Sequence, residues 1–249
     1  MTTSRLPILL LLATLTACAP APPPAPPDVQ PPPPRPSIGL LSAAATSTDK
    51  GPGGHNYTEL YERLFFPWKD EPITIFEIGI AGGGSLAMWQ AYFPNARIFA
   101  VDILPKTQFD NERVKTLIAD QANRDQLRAA TAAVGSDIHV LIDDGGHTME
   151  QQQVSLGFLF KHVRPGGYYV IEDVHTSLPA LWKGYGVEPG GRNTTLRMLE
   201  SFVRSPAPSI TSQYMLPDET AYLNAHIESL NLSYRPATRS IAAIIKKKG

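Results

Sequence analysis

The sequence predicts an α/β fold of the Rossmann-like, doubly wound kind: a seven-stranded, mostly parallel sheet with an antiparallel hairpin at its C-terminal edge. Two observations carry this prediction. Apolar runs of strand length alternate with segments of helical periodicity along most of the chain. Acidic residues also follow the ends of successive apolar runs, where the carboxyl edge of a parallel sheet would collect them.

The composition indicates one well-buried domain and does not favour a nucleic-acid partner. The chain has 249 residues, a formal net charge of −1 and 43% hydrophobic residues. This charge is too balanced to indicate the basic surface that nucleic-acid binding requires. The single cysteine, Cys18, excludes a disulfide framework and a cysteine-based metal site.

Residues 1–47 are predicted to lie outside the folded domain. Residues 1–18 resemble a lipoprotein-type signal peptide, because Arg5 precedes a short apolar run that ends in a lipobox-like Leu15-Thr16-Ala17-Cys18. Residues 19–47 form a Pro-rich linker that is expected to be disordered and extended. We therefore expect a bacterial cell-envelope lipoprotein, anchored in the membrane at Cys18. If the true start lies beyond Cys18, the protein is cytoplasmic instead.

The folded domain is predicted to span residues 48–249 and to begin with a helix that ends at Pro67. Residues 73–79 then form a buried strand, and a glycine-rich turn joins this strand to a second helix. Such a strand–turn–helix unit lets backbone N–H groups approach a ligand closely. Gly79, Gly83 and Ser85 are therefore assigned to cofactor binding.

Acidic residues after the next two apolar runs extend this ligand site. Asp102 has the spacing at which a carboxylate binds a ribose diol in nucleotide-binding folds. Asp120 and Gln121 end the following run, where they can reach an adenine ring. The alternatives are a turn-forming role for Asp102 and a helix N-cap role for Asp120.

Two details favour S-adenosylmethionine over a nicotinamide dinucleotide as the cofactor. Glu77 ends the first strand, where its carboxylate can hold the methionine amino group. The glycines at positions 79, 82, 83 and 84 do not form the G-x-G-x-x-G pattern of dinucleotide sites. The sequence therefore predicts an S-adenosylmethionine site rather than a nicotinamide-dependent oxidoreductase.

A second group of acids, at 143–147 and 172–173, follows two later apolar runs. A helical segment and then a turn at residues 164–167 lie between the runs, and this order predicts a right-handed crossover that makes the runs parallel neighbours. Asp144, Glu172 and Asp173 then meet at one edge, and clustered carboxylates repel one another unless a cation lies among them. Oxygen ligands suit Mg²⁺. The alternative is one helix-capping acid and two solvated loop acids.

The C-terminal residues complete the predicted fold. Residues 193–204 form a helix by their apolar spacing, and residues 227–234 and 240–245 form two closing strands around a turn at 235–236. These two strands are the predicted antiparallel edge hairpin.

These features together resemble the class I S-adenosylmethionine-dependent methyltransferases. Within that class the chain is similar to the metal-dependent sugar O-methyltransferases of macrolide biosynthesis and to the related rhamnosyl O-methyltransferase/cephalosporin hydroxylase family. The similarity covers roughly residues 48–248. Its motifs are Thr48-Asp49-Lys50 with His55 and Tyr57, Glu77-Ile78-Gly79 through Leu86 with Trp89, Asp102, Asp143 to His147, and Pro165-Gly166-Gly167 through Glu172-Asp173 with Thr176-Ser177.

The resemblance implies that Asp144, Glu172 and Asp173 are the metal ligands and that His147 is the catalytic base. Asp143 is assigned to the cofactor. The expected reaction is transfer of a methyl group to a hydroxyl of a sugar or of a glycosylated, secondary-metabolite-like small molecule, assisted by Mg²⁺.

Several alternatives stay open from the sequence. His147 could instead cap a helix or support a ligand from behind, and His175 is a weaker candidate base. The protein could be a non-catalytic, cofactor-binding lipoprotein or a hydroxylase-type member of the related family. The sequence shows no recognisable two-histidine, one-carboxylate set of the kind that non-haem iron oxygenases use.

Overall fold

The computed structural model describes residues 36–44 and 48–249. The described residues belong to one compact unit that begins at Pro36. The predicted signal peptide, the lipobox with Cys18 and most of the predicted linker lie outside the described residues. Among the described residues, no helix has both the length and the apolar character to cross a membrane.

In this part of the chain, seven strands form one sheet with helices on both faces. The strands are β1 (Thr74–Ile78), β2 (Arg97–Asp102), β3 (Val114–Ile118), β4 (Ile138–Asp143), β5 (Val163–Ile171), β6 (Ile227–Arg235) and β7 (Ser240–Lys247). The helices are α1 (Ile38–Ala44), α2 (Thr58–Phe65), α3 (Gly84–Tyr92), α4 (Arg124–Val134), α5 (Met149–Leu159), α6 (Thr195–Arg204) and α7 (Pro217–His226).

The strand order is β3-β2-β1-β4-β5-β7-β6. Strands β1 to β5 are parallel, and β7 runs antiparallel to both β5 and β6. This arrangement confirms the predicted fold, including the C-terminal hairpin. From β1 the chain first adds strands on one side of the sheet, and with β4 it continues on the other side. Ligands of doubly wound folds bind at this switch point between β1 and β4.

The two faces of the sheet bury separate apolar layers. Phe76 and Ile78 of β1 pack into a layer formed with α4, α5, α6 and α7, while Ile75 packs into the opposite layer with α2 and α3. The second layer is rich in aromatic side chains, such as Tyr61 and Trp89. Full burial of one such large apolar side chain stabilises a fold by about 1.5–3 kcal/mol.

Two boundaries differ from those predicted. Helix α1 lies inside the segment assigned to the linker, because Ile38 is fully buried in the aromatic layer and its N–H donates to Glu62 Oε2 at 2.8 Å. Strand β5 begins at Val163, although residues 164–167 were predicted to form a turn. A register shift against β4 and a positive φ of 74° at Gly166 accommodate the Pro-Gly-Gly sequence within the strand.

Candidate active site

The carboxyl edge of the sheet is held together by hydrogen bonds that continue beyond the strand ends. Gly79 N–H donates to Val101 O at 2.8 Å, and Asp144 N–H donates to Ile78 O at 2.9 Å. Glu172 N–H donates to Asp143 O at 2.9 Å. The loops that follow β1, β4 and β5 therefore start at fixed positions, and Asp144 and Glu172 come together as predicted.

The turn after β1 requires glycine at position 79. Its φ is +89°, and a Cβ there would lie 2.0 Å from the carbonyl oxygen of Asp144. The two loops can approach this closely only because no side chain intervenes. Gly83 precedes α3 with φ +76°, and a Cβ there would collide with the Phe109 ring. It lies outside the linings of the two cavities at this edge, and its contact with a cofactor stays a prediction.

Two adjoining cavities open at this edge. The smaller, of about 240 Å³, is lined by residues from the ends of β1, β2 and β3, including Asp102, Asp120 and Gln121. The larger, of about 500 Å³, is lined by Ser85 together with Asp144, His147 and Asp173 and with residues 48–49. The two linings have four residues in common, namely Gly79, Ala81, Asp144 and Gly145. The cleft can therefore hold two ligands side by side.

Asp102 organises the wall of the smaller cavity. Its Oδ2 accepts from the backbone N–H groups of Ile80 at 3.0 Å and Ala81 at 3.2 Å, and its Oδ1 accepts from Leu104 N–H at 3.0 Å. The turn-forming alternative therefore holds for Asp102, and the same residue also lines the cavity. Its contact with a ribose stays a prediction.

Asp120 and Gln121 also line the smaller cavity. Asp120 accepts from Ala122 N–H at 2.9 Å and is not the N-cap of α4, because Asn123 accepts from the first N–H groups of that helix. Gln121 Oε1 accepts from Gly146 N–H at 2.8 Å, which fixes the loop after β4. An adenine contact stays a prediction for both residues.

Hydrogen bonds within the fold satisfy the Asp143 carboxylate, and its predicted contact with the cofactor stays a prediction. Asp143 is fully buried, and its carboxylate accepts from Gln121 at 2.9 Å, Ser155 at 2.5 Å and Tyr169 at 3.2 Å. Side chains alternate between the two faces of a strand. Asp143, the last residue of β4, points to the face covered by α4, α5, α6 and α7. Asp143 therefore stabilises the edge of the sheet through hydrogen bonds within the fold. It lines neither of the two cavities described.

Glu77 lies beneath the floor of the cleft and is fully buried. Its Oε2 accepts from Ser85 at 2.9 Å and Trp89 at 3.2 Å, whereas its Oε1 has no hydrogen-bond partner among the described residues. Burial raises the pKa of the Glu77 carboxyl to about 7, although the nearby Lys50 ammonium opposes this rise.

Lys50 has a central place in the site, although no role was predicted for it from the sequence. Its fully buried ammonium lies 2.5 Å from Asp144 Oδ2, 2.8 Å from Glu172 Oε1 and 3.5 Å from Glu77 Oε1. Burial opposes the charged form, but these carboxylates raise the pKa of Lys50 well above its ordinary value. Burial likewise raises the pKa of Glu172, and Lys50 again opposes the rise. Lys50 therefore links the predicted cofactor-binding Glu77 to two predicted metal ligands.

Glu172 also accepts from the Tyr61 hydroxyl at 2.5 Å, and Asp173 Oδ1 accepts from the Tyr57 hydroxyl at 2.9 Å. Both tyrosines come from the start of α2, which lies across the edge of the sheet. This helix was predicted from the sequence, but these polar contacts were not. The signal that could have revealed Lys50 is electrostatic, because several carboxylates at one buried edge need a cation.

A further cluster faces the larger cavity. Ligand atoms of Asp144, His147 and Asp173 all lie within 4.8 Å of one another. His147 Nε2 is 3.7 Å from Asp144 Oδ1 and 3.8 Å from Asp173 Oδ2, while its buried Nδ1 has no hydrogen-bond partner in the described part of the chain. The structure therefore brings the predicted base next to two of the three predicted metal ligands. Glu172, the third, turns toward Lys50 and Tyr61.

His147 and Asp173 both have left-handed backbone conformations, with φ of +59° and +53°. Residues other than glycine adopt the left-handed backbone conformation at a free-energy cost of about 1–2 kcal/mol. His147 lies just before Thr148, which caps α5 through a capping box with Gln151, so the helix-cap alternative for His147 does not hold. Thr176 Oγ1 donates to His147 O at 3.1 Å and helps to hold the strained conformation.

Known proteins similar to this chain include antibiotic sugar methyltransferases, although no family model matches it. It is 34% identical over 201 residues to the demethylmacrocin O-methyltransferase of Streptomyces fradiae, covering 76% of this chain and 49% of that protein. It is 39% identical over 171 residues to the 8-demethyl-8-(2-methoxy-alpha-L-rhamnosyl)-tetracenomycin-C 3'-O-methyltransferase of Streptomyces olivaceus, covering 65% of this chain and 43% of that protein. The chain spans less than half the length of the curated relatives it matches.

A solved structure also resembles this one. The MycE methyltransferase from the mycinamycin biosynthetic pathway, in complex with Mg, SAH and mycinamycin VI, matches with a TM-score of 0.70 and 29% identity. The match covers 86% of this chain and 55% of that chain. The seven-stranded sheet is the Rossmann-like fold of class I S-adenosylmethionine-dependent methyltransferases. The chain is similar in sequence to macrolide sugar O-methyltransferases and similar in fold to MycE.

Proposed function

We propose that this protein is an S-adenosylmethionine-dependent, Mg²⁺-assisted O-methyltransferase that acts on a hydroxyl of a sugar or a glycosylated small molecule. The observation that carries the proposal is the wall shared by the two cavities, with Gly79, Ala81, Asp144 and Gly145 in both linings. A methyl donor in the smaller cavity would lie directly beside an acceptor in the larger one. The names of the relatives, which include a rhamnosyl 3'-O-methyltransferase, support the acceptor class.

The residues around the smaller cavity fit S-adenosylmethionine. Asp102 and Asp120 bring carboxylates to the ends of two adjacent strands, where a ribose and a base can meet them. Glu77 accepts from Ser85, which lines the adjoining larger cavity. Its buried Oε1, 3.5 Å from the Lys50 ammonium, has no hydrogen-bond partner among the described residues and could accept from the amino group of the methionine moiety. These contacts would orient the cofactor with its sulfonium toward the larger cavity.

The charges around the larger cavity fit a divalent cation. The carboxyl groups of Glu77, Asp144, Glu172 and Asp173 lie close together with the Lys50 ammonium among them, so acidic groups outnumber the cation. A divalent cation would offset this excess of acidic groups. Asp144 and Asp173 are the carboxylates that face the cavity, and Glu172 completes the proposed ligand set.

The chain's own residues would position and deprotonate the acceptor. When bound, Mg²⁺ supplies Lewis acidity that makes an acceptor hydroxyl easier to deprotonate. His147 Nε2 faces Asp144 and Asp173 at the cavity wall, where it can take the hydroxyl proton as a general base. The acceptor oxygen could then attack the methyl carbon, with positioning by the cavity contributing much of the rate.

Chelation and product analysis test this proposal together. The reactions are run with a panel of sugars, glycolipids and glycosylated polyketides. Mass spectrometry should reveal a product heavier than its acceptor by one CH₂ group, about 14 Da. EDTA should abolish turnover, Mg²⁺ should restore it, and calorimetry should show that cofactor binding persists in EDTA. Full turnover in excess chelator would contradict the metal role. Absence of cofactor binding would contradict the whole proposal.

We further propose that the protein is exported and anchored in the cell envelope through lipid at Cys18, by way of its Pro-rich linker. The lipobox-like sequence supports this location, and acyl chains on one cysteine would give stable anchoring. S-adenosylmethionine carries fixed charge and crosses a bilayer poorly, so an exported domain needs a supply of cofactor outside the cytoplasm.

Fractionation of tagged protein tests the location, with Cys18→Ser as the control. The expected result is wild-type protein in the membrane fraction and a Cys18→Ser variant that is not lipidated. Soluble cytoplasmic protein that lacks the residues before Cys18 would contradict the anchor and would leave the proposed enzyme activity untouched.

A further inference from the structure

We propose a second metal site, formed by His55, Asp173 and His175, that binds a transition-metal dication on the acceptor side of the cleft. Ligand atoms of these three residues lie within 4.8 Å of one another. The site consists of two imidazoles and one carboxylate. The sequence did not reveal this ligand set, because His55 lies far along the chain from Asp173 and His175. Such a set suits Zn²⁺, Co²⁺, Fe²⁺ or Mn²⁺, whereas the oxygen-rich site next to it suits Mg²⁺.

The distances in this cluster suit ligands of one ion better than hydrogen bonds. His55 Nε2 is 3.7 Å from Asp173 Oδ2, and His175 Nδ1 is 3.8 Å from Asp173 Oδ1. These separations exceed hydrogen-bond length. Two ligand atoms that are each about 2.1 Å from one ion lie roughly 3–3.5 Å apart, so a small contraction would form the site.

The surroundings hold the three ligands in the orientation that a metal requires. His55 Nδ1 pairs with the buried hydroxyl of Ser240, which leaves Nε2 to face Asp173. Asp173 Oδ1 accepts from the Tyr57 hydroxyl at 2.9 Å. Metal-binding imidazoles and carboxylates commonly have such hydrogen-bond partners, which fix the ring orientation.

His175 supplies the observation that points most directly to a ligand. Its Nδ1 is buried and has no hydrogen-bond partner among the described residues. A buried, unpaired imidazole nitrogen costs free energy, and coordination to a cation would remove that cost. The three ligands therefore include one atom that nothing in the described protein satisfies.

The site borders the larger cavity through Asp173. Asp49 Oδ2 lies 3.2 Å from His55 Nε2 and competes for it, but Asp49 is 61% exposed and can turn away or become a further ligand. Asp49 and Asp173 both line the larger cavity. A metal bound here would thus face the acceptor, and it would share Asp173 with the proposed Mg²⁺ site.

Cobalt binding to the full-length, metal-stripped protein tests the proposal without any methyl-transfer reaction. The titration is followed by visible absorption in excess Mg²⁺, which occupies the oxygen-rich site. We expect one equivalent of Co²⁺ to bind. His55→Ala and His175→Ala should each weaken Co²⁺ binding by at least about tenfold, the lower end of the losses seen when a metal site loses a partner.

Two control variants make the result specific. His226→Ala removes a histidine that stacks on Tyr222 outside the cluster, and it should leave Co²⁺ affinity unchanged. Asp144→Asn removes a predicted ligand of the Mg²⁺ site and should also leave it unchanged. Equal Co²⁺ affinity in wild type, His55→Ala and His175→Ala would overturn the proposal, as would loss of binding only in Asp144→Asn.

A spectroscopic readout on wild-type protein keeps the proposal testable if the histidine variants do not fold. Pulsed electron paramagnetic resonance of bound Cu²⁺ should show couplings to two imidazole nitrogens. One imidazole coupling would place the ion at Asp144, His147 and Asp173 instead and would overturn the second site. Because this test measures ligand identity, its failure is distinct from failure of the proposed methyltransferase activity.

Discussion

The two halves of the carboxyl edge hold their acids in different ways. After β2, the carboxylate of Asp102 accepts from three backbone N–H groups, one of them from Ala81, whose φ is +44°. After β4 and β5, His147 and Asp173 have left-handed backbones, and His147 Nδ1 has no hydrogen-bond partner among the described residues. Backbone donors satisfy the Asp102 carboxylate, so the first half is a satisfied frame. The second half has two left-handed residues and an unpaired imidazole nitrogen, and it is the more strained half.

The difference indicates what each half does for the proposed reaction. A loop whose hydrogen bonds are already formed can position a cofactor with little reorganisation of the protein. The strained half has several carboxylates with Lys50 among them, and this arrangement persists because the surrounding sheet and helix over-determine it. Variants that affect the halves separately should therefore give different phenotypes.

The largest expected effect is on catalysis at the strained half. His147→Ala should lower kcat by about 10²–10⁴, the usual range for loss of a general base, with cofactor affinity nearly unchanged. His147→Gly should lower kcat equally but be more stable than His147→Ala by about 1 kcal/mol, because glycine adopts the positive φ without strain. Steady-state kinetics and urea denaturation measure these effects. Normal kcat with reduced stability would assign His147 a structural role only.

Lys50→Met should come next and act on stability. It keeps the bulk of the side chain but leaves buried Glu172 and Asp144 without their cation, and breaking a buried pair costs about 3–5 kcal/mol. Added Mg²⁺ should restore more stability in this variant than in wild type, because the ion would replace the lost charge. Denaturation with and without Mg²⁺ tests both statements. Lys183→Met, at an exposed position, is the control and should change little.

Cofactor affinity should depend on pH through Glu77. Burial raises the pKa of its carboxyl to about 7 in the protein without ligands, whereas the cofactor amino group pairs with the ionised form. Below that pH, binding must expel a proton, so affinity should fall by up to about tenfold per pH unit. Calorimetry across this range measures the slope. Glu77→Gln should bind more weakly with a flat profile; an unchanged slope in that variant would assign the titration to another group.

The smallest effect should come from the satisfied frame. Asp102→Asn keeps one acceptor oxygen and loses some of the bonds to Ile80, Ala81 and Leu104, at a cost of about 1–3 kcal/mol in stability. We expect weaker cofactor binding with kcat at saturating cofactor close to wild type. Asp120→Asn, which affects a single turn bond, should cost less. A large fall in kcat for Asp102→Asn would remove the distinction between the two halves.

Local patterns in the sequence were enough to predict the sheet, the hairpin and the edge at which the acids meet. Asp144, Glu172 and Asp173 could be placed there because each follows an apolar run directly, and parallel strands end at the same edge. Gly79 could be assigned to a tight turn for the same local reason. The burial of Asp143 could not be predicted in this way, because the direction of a strand's last side chain depends on the pleat rather than on the spacing of acids.

Contacts between distant parts of the chain were decided by the tertiary structure alone. Lys50, Tyr57 and Tyr61 reach the acids because α2 and the segment before it lie across the edge of the sheet. His55 meets His175 for the same reason. The sequence by itself determined which residues could carry charge and where each strand would end, since both are local properties. Only the fold determined which charges would be buried together, because burial and pairing depend on neighbours that are remote along the chain.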